Sequence, residues 1–303
     1  MYHFGGDVLI EDEFLRDGLQ NEARIFTVAE KLHYLAGLEA AGLRRIQVGS
    51  FVHPEWVPQM ANTDELFAQI VPRPGVTHSA LILNMAGLER ALAAGVKHLS
   101  ISVSASETHS RKNLNKSVEE ARTQIAPILE RALAAGIAVR AGIQSALGCG
   151  FEGRVDPARV LDIARSYGEI GVHEINIADT AGLANPVQVF DLCRRVREVV
   201  PAATALSLHL HDTRGLGLAN MVAGLQAGVR IFDAALGGLG GCPFIPNATG
   251  NVATEDAAFA LAEMGFATGI DHRALGALTR GLEGMLGRRL PGRMAHIYTG
   301  GAA

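Results

Sequence analysis

Short apolar runs rich in β-branched residues alternate along this chain with longer segments whose apolar positions recur every three or four residues. The short runs predict strands at 8–16, 45–50, 76–83, 97–104, 137–143, 172–178, 205–210 and 230–235. Between them the longer period predicts helices at 28–41, 86–94, 118–135, 157–170, 186–199 and 218–227. Several of these helices end in the same pair, as at Ala41-Gly42, Ala94-Gly95, Ala135-Gly136 and Ala227-Gly228. Glycine accepts the conformation that stops a helix and returns the chain to a strand. Eight strand–helix units in about 230 residues predict a single (β/α)8 TIM barrel. A doubly wound sheet would need fewer strands and a glycine-rich first turn, whereas RDGLQNE follows the first strand here. After the eighth strand GGLGGCPFIPNATGN (237–251) predicts a Gly-rich lid loop, and extra C-terminal helices are expected at 252–264 and 272–286. No linker composition interrupts the pattern, so one domain over 1–303 is expected.

Composition narrows the class. The 303 residues are 48% apolar and 19% charged with a net charge of −4, which excludes disorder, a coiled coil and a nucleic-acid module built on basic charge. No run of about 18 apolar residues occurs, and acids stand near the start where a secretory signal would carry basic residues. A cytoplasmic protein with no membrane and no nucleic-acid partner is the expectation. Cys149, Cys193 and Cys242 are odd in number and widely spaced, which fits reduced thiols.

In such a barrel the chemistry lies at the C-terminal ends of the strands. Polar residues there need a reason. Strand one ends in Arg16-Asp17, strand two in Gln47 to Ser50, and strand six in Asn176 to Thr180, including Asp179. Strand seven reads LHLHD, and its His209 and His211, two apart, point to one face. A buried imidazole pair loses hydration that a metal ion restores through the ring lone pairs. Carboxylate and amide oxygens are then needed to complete a site for a hard or borderline divalent ion, and Asp17 and Asn251 are candidates. The GGLGGC stretch lacks dinucleotide spacing and reads instead as a lid that brings the Cys242 thiol over the site.

With RDGLQNE, SFVHPEWVPQM, SALGCGFEG, HLHDTRG and GGLGGCPF followed by ATGNVATED in order, the chain resembles the 3-hydroxy-3-methylglutaryl-CoA lyases, TIM-barrel enzymes related to isopropylmalate and homocitrate synthases. The resemblance covers nearly the whole length. It implies Mg2+ or Mn2+ held by Asp17, His209, His211 and Asn251, a catalytic arginine at Arg16, a loop cysteine at Cys242, and substrate contacts at Ser50 and Asp179. Gln20, Gln47, Gln144, Asn176 and Thr180 join the candidate substrate-binding residues. The implied reaction splits a 3-hydroxyacyl-CoA thioester between C2 and C3 into a keto acid and the enolate of acetyl-CoA. Asp179 or a metal-bound histidine such as His209 is the candidate base, and Cys242 or water the acid. Arg111, Lys112 and Arg24 are candidates for the CoA phosphates. A homodimer or higher homo-oligomer is implied as well. A condensing enzyme using acetyl-CoA and a 2-oxo acid, and a non-catalytic acyl-CoA-binding barrel, stand as alternatives.

The chain departs from the lyase pattern around this one pocket. Gln47 replaces a glutamate of strand two, Glu13-Phe14-Leu15 replaces Val-Gly-Pro before Arg16, Gln144 and Asn176 replace serines, and Ala23 replaces a lysine. An amide at 47 removes a negative charge from beside the metal, which predicts a more positive site. Phe14, sharing a strand face with Arg16, is expected to narrow the pocket.

Overall fold

A computed structural model describes residues 5–241 and 250–297. Eight parallel strands close in sequence order, β1-β2-β3-β4-β5-β6-β7-β8. They are β1 Leu9–Asp12, β2 Arg45–Ser50, β3 Thr77–Leu81, β4 His98–Ser104, β5 Ala138–Gln144, β6 Glu174–Asp179, β7 Ala205–Leu210 and β8 Ile231–Ala234. The helices around them are α1 Val28–Ala40, α2 Thr63–Gln69, α3 Met85–Ala93, α4 Glu107–Leu114, α5 Val118–Ala134, α6 Pro157–Ile170, α7 Pro186–Val199, α8 Gly217–Gln226, α9 Thr254–Glu263, α10 His272–Leu286 and α11 Met294–Ile297. The expected TIM barrel is therefore present, with all eight strands in the predicted places. No described helix is long and apolar enough to cross a membrane.

Local chemistry explains the accuracy of the long helices. Thr27 with Glu30, Ser117 with Glu120 and Asn185 with Gln188 each form a reciprocal cap at the start of α1, α5 and α7. Three helices escaped the reading, among them the four-residue Met294–Ile297. The Thr63–Gln69 segment is two turns long, and Glu107–Leu114 is polar enough to look like loop, although the Ser106 side chain caps it. The first strand is also shorter than expected. It ends at Asp12, and Phe14–Gly18 forms a π-helical turn. The lid expected over 237–251, with Cys242, falls largely on residues 242–249, outside the described residues.

The apolar core lies between strands and helices, while the barrel lumen is ionic. Glu11 is in register with Arg45 on one side and with Asp233 on the other, and Arg140 with Glu174 and Ser100. All six are buried. Arg140 reaches from β5 across the lumen, donating to Glu11 at 2.5 Å, to Asp233 at 2.9 Å and to Glu13 at 2.8 Å. Arg45 pairs with Glu174 through two bonds of 2.8 and 3.1 Å and with Glu11 at 2.7 Å. Burial opposes ionisation of these acids, yet the facing guanidinium groups hold Glu11 down at about 2. Arg140→Met would leave three carboxylates without their shared cation, and a loss of about 3–5 kcal/mol is expected in denaturant unfolding.

Asp12 has the opposite environment. It faces outward from the lumen, accepting from Thr254 Oγ1 at 2.6 Å and from the Phe14 backbone at 2.9 Å, with no ion pair among the described contacts. Burial lifts it to about 7 despite these bonds. Its folded-state value exceeds the unfolded one of 3.8, so its contribution is present below that value and lost as pH rises towards 7. Between those limits it should lower stability by about 1.4 kcal/mol per pH unit. Asp12→Asn is expected to remove that slope, read as unfolding free energy at several pH values from 4.5 to 6.5.

Candidate metal centre and active site

A cavity of about 320 Å³ opens at the C-terminal ends of the strands. Of the residues expected to build the site, Arg16, Asp17, Gln20, Ser50, Gln144, Asn176, Thr180, His209 and His211 line it. On β7 the alternation that brings Ser207 inward also brings His209 and His211 inward. Their Nε2 atoms stand 3.0 Å apart. Asp17 leaves the π-helical turn beside them, and one ligand atom from each of the three lies within 4.8 Å of the others. Asn251 comes from the far side of the Gly-rich segment. Its chain pairs with the end of β7, where Asp212 donates to the Gly250 carbonyl at 2.8 Å and Val252 donates to the Leu210 carbonyl at 3.2 Å. Asn251 Nδ2 then donates to Asp17 at 2.7 Å and to the Leu239 carbonyl at 3.1 Å.

Three observations fit this cluster to a divalent cation. Asn251 Oδ1 is buried with no hydrogen-bond partner among the described residues, an acceptor left free beside a carboxylate and two imidazoles. The donor set of two nitrogens and two oxygens suits a borderline divalent ion. Charge points the same way. Around the lumen and mouth, Glu11, Glu13, Asp17, Glu174 and Asp233 face Arg16, Arg45 and Arg140, so two negative charges are in excess while the imidazoles are neutral. Burial disfavours a charged His209, but the Asp233 and Glu13 carboxylates at Nδ1, 3.2 and 3.4 Å away, outweigh it and raise the ring to about 10. A proton there offsets part of the excess. The same two acids fix Nδ1 as the donor and leave Nε2 for the cavity. His211, buried beside that charged ring, is lowered to about 4.

Arg16 borders the cluster. It pairs with Glu13, donates to Asp17 at 2.5 Å and donates through Nε to Gln47 Oε1. Gln47 lies behind Arg16, bonded to Ser100 at 3.2 Å, and is not a lining residue. The expected loss of negative charge at 47 is met by Glu13, so the site is not more positive on that account.

Two expected contacts are corrected. Asp179 follows lumen-facing Asn176 and Ala178 at odd register, and its two oxygens accept the backbone N–H of Leu183 and Ala184 at 2.9 and 3.1 Å. It holds the loop at residues 183–184 and does not line the cavity. Phe14 does not share a strand face with Arg16, because the strand has already ended; its ring packs edge-on to Tyr34 at 5.3 Å in the core. Arg24 is taken up by Glu30 at 2.5 Å. The sequence reading missed Glu13, Arg140 and Asp233, together with the cavity-lining Ser100, Ser102, His109 and Asn113. Lumen-side parity on β5 and β8 would have found Arg140 and Asp233, whereas Glu13 follows the end of β1.

Gly240 shows how closely the oxygen ligands are approached. Its φ is +112°, and a Cβ there would lie 2.5 Å from Asn251 Nδ2 and 3.0 Å from Asp17 Oδ2. Gly240→Ala should displace both ligands and weaken Mn2+ binding by about tenfold or more, measured by the free-ion electron paramagnetic resonance signal, with the far-ultraviolet circular dichroism unchanged.

The geometry defines a (β/α)8 barrel whose mouth carries a cation-competent acid–imidazole cluster beside an ion-paired arginine. The HMGL-like family model matches residues 7–281. The chain belongs to that family. It is 42% identical over 275 residues to the hydroxymethylglutaryl-CoA lyase of Pseudomonas mevalonii, covering 90% of each chain. It is 44% identical over 260 residues to the 3-hydroxy-3-isohexenylglutaryl-CoA/hydroxymethylglutaryl-CoA lyase of Pseudomonas aeruginosa, covering 86% of each. Among solved structures, an HMG-CoA lyase of Acinetobacter baumannii in complex with coenzyme A and 3-methylmalate superimposes with a TM-score of 0.92 at 35% identity, covering 98% of this chain and 97% of that one.

Proposed function

We propose that this protein is a carbon–carbon lyase that cleaves 3-hydroxy-3-methylglutaryl-CoA, or a close 3-hydroxyacyl-CoA relative, into acetyl-CoA and a keto acid. The observation that carries the reading is the placement of Arg16 against the Asp17, His209, His211 and Asn251 cluster at the barrel mouth. Those four residues would hold Mg2+ or Mn2+, which when bound supplies positive charge that lowers the pKa of a coordinated hydroxyl and fixes its orientation.

The chain's own groups then divide the work according to where charge moves. The C3 hydroxyl gives its proton to a base as the C2–C3 bond breaks, and its oxygen becomes the ketone. The bond's electron pair passes to the thioester, and the resulting enolate takes a proton at C2 from an acid or water to give acetyl-CoA. Arg16 supplies a fixed cation for the thioester oxygen as it turns into an enolate, an interaction worth about 3 kcal/mol of barrier in a site that excludes water. Ser50 Oγ is buried without a partner among the described residues and lines the cavity, so its hydroxyl is free for substrate. Asn176 and Thr180 are committed to protein bonds, with Ser207 at 2.9 Å and the Ser145 backbone at 2.9 Å, and shape the wall. Val52, Val57, Leu81 and Leu83 give the cavity an apolar side suited to an alkyl branch at C3. His109 and Asn113 of α4 line the cavity, and the exposed Arg111 and Lys112 of the same helix are candidates for the CoA phosphates.

The test is release of acetyl-CoA from a panel of 3-hydroxyacyl-CoA esters, detected by mass, with Mn2+ and with chelator. Chelator-sensitive cleavage is expected. Arg16→Gln should lower kcat by about 10²–10³-fold with the fold retained. Cleavage of no ester by the Mn2+-loaded protein would overturn the lyase reading and favour a condensing enzyme or a binding barrel.

A further inference from the structure

Three acceptors hold the Arg16 guanidinium: Glu13 at Nη2, Asp17 at Nη1 and Gln47 at Nε. They are not equivalent. Gln47 is a neutral amide. Asp17 belongs to the cation cluster, and a cation bound there draws its negative charge away from the arginine. Glu13 thus remains as the carboxylate in contact with Arg16 that has no ligand duty in that cluster. Its Oε1 accepts from Arg140 at 2.8 Å while Oε2 engages Arg16 and lies 3.4 Å from His209 Nδ1, so one carboxylate stands between two guanidinium groups and an imidazole. Glu13 is fully buried and does not line the cavity. With a neutral side chain in its place, Arg16 and Arg140 would face each other across a medium that screens their repulsion poorly.

We propose that Glu13 is the positioning residue of this site, fixing the Arg16 guanidinium in the cavity and separating it from Arg140. The placement follows from the contacts themselves; what Arg16 then does to a substrate rests on the lyase reading. The carboxylate that orients the arginine comes from the end of β1, which allows position 47 on the adjacent strand to be an amide.

The experiment moves the charge from Nη2 to Nε of the same guanidinium. Wild type, Glu13→Gln, Gln47→Glu and the double variant E13Q/Q47E are compared as full chains loaded with Mn2+. E13Q should lower kcat by about 10–100-fold, with KM changed by less than about threefold. In proton–nitrogen correlation spectra it should also lose the slowly exchanging Nε–H resonance of Arg16, assigned by its absence in Arg16→Gln. The double variant should regain at least about tenfold of the lost kcat and recover that resonance, because Gln47 already accepts from Nε. A merely structural glutamate would not be rescued from another strand. If E13Q does not fold, Glu13→Asp makes the same comparison, since its shorter arm keeps a charge near Arg140 and withdraws it from Arg16. Wild-type kcat and an intact resonance in E13Q, or a double variant no better than E13Q, would overturn the proposal. Should wild type cleave none of the esters, the lyase reading fails by itself, and the Arg16 resonance alone then decides the role of Glu13.

Discussion

A charge inside a closed barrel has to be balanced where it stands, because the strands leave it no route to bulk water. Arg140 is the group on which this balance turns. Its guanidinium, placed in mid-lumen by β5, is shared by Glu11 and Glu13 from the first strand and its end and by Asp233 from the eighth. A solitary buried cation would be expelled or neutralised, and so would each of the acids. Together they form a layer that closes the barrel floor beneath the cavity and cannot be altered one member at a time.

The active-site geometry is an outgrowth of that layer. Glu13 extends it to Arg16, while Asp233 extends it to His209 Nδ1. Arg16 and His209, which border the cavity, are therefore oriented from below by groups committed to Arg140. The excess of acids over arginines gives the layer a second property. It makes the mouth electronegative, and the cluster of Asp17, His209, His211 and Asn251 sits where a divalent ion would cancel that excess. Fold, orientation of the imidazole and affinity for a cation thus share one electrostatic origin.

The sequence disclosed those features whose signal is periodic or local. The eight strands, the long capped helices and the inward-facing His209 and His211 all follow from spacing along the chain. Asn251 was not legible in that way, since it reaches the site by pairing with β7 across a Gly-rich segment, and the family resemblance supplied it. Asp179 misled because its chemistry was weighed without its register. Its neighbours Asn176 and Ala178 face the lumen, and alternation turns Asp179 out to the loop amides it serves. Phe14 misled for the converse reason. Strand alternation was carried past Asp12 into a π-helical turn, where the two-residue period no longer holds. Glu11, Glu13 and Arg140 were missed because charged residues in a strand reduce its apolar signal, and their mutual compensation exists only once the barrel has closed.

This last failure bears on how substitutions around Arg16 are read. Taken singly, an amide at 47 where the lyases carry glutamate looks like a lost charge and suggests altered chemistry. In three dimensions positions 13 and 47 contact two nitrogens of one guanidinium, so what matters is the charge around Arg16 rather than the residue at either position. Arg16 keeps a carboxylate contact at Nη2 from Glu13 and an amide contact at Nε from Gln47, and Glu13 also ties the arginine to Arg140 and the barrel floor. The charge that orients Arg16 thus comes from the same buried layer that closes the barrel floor.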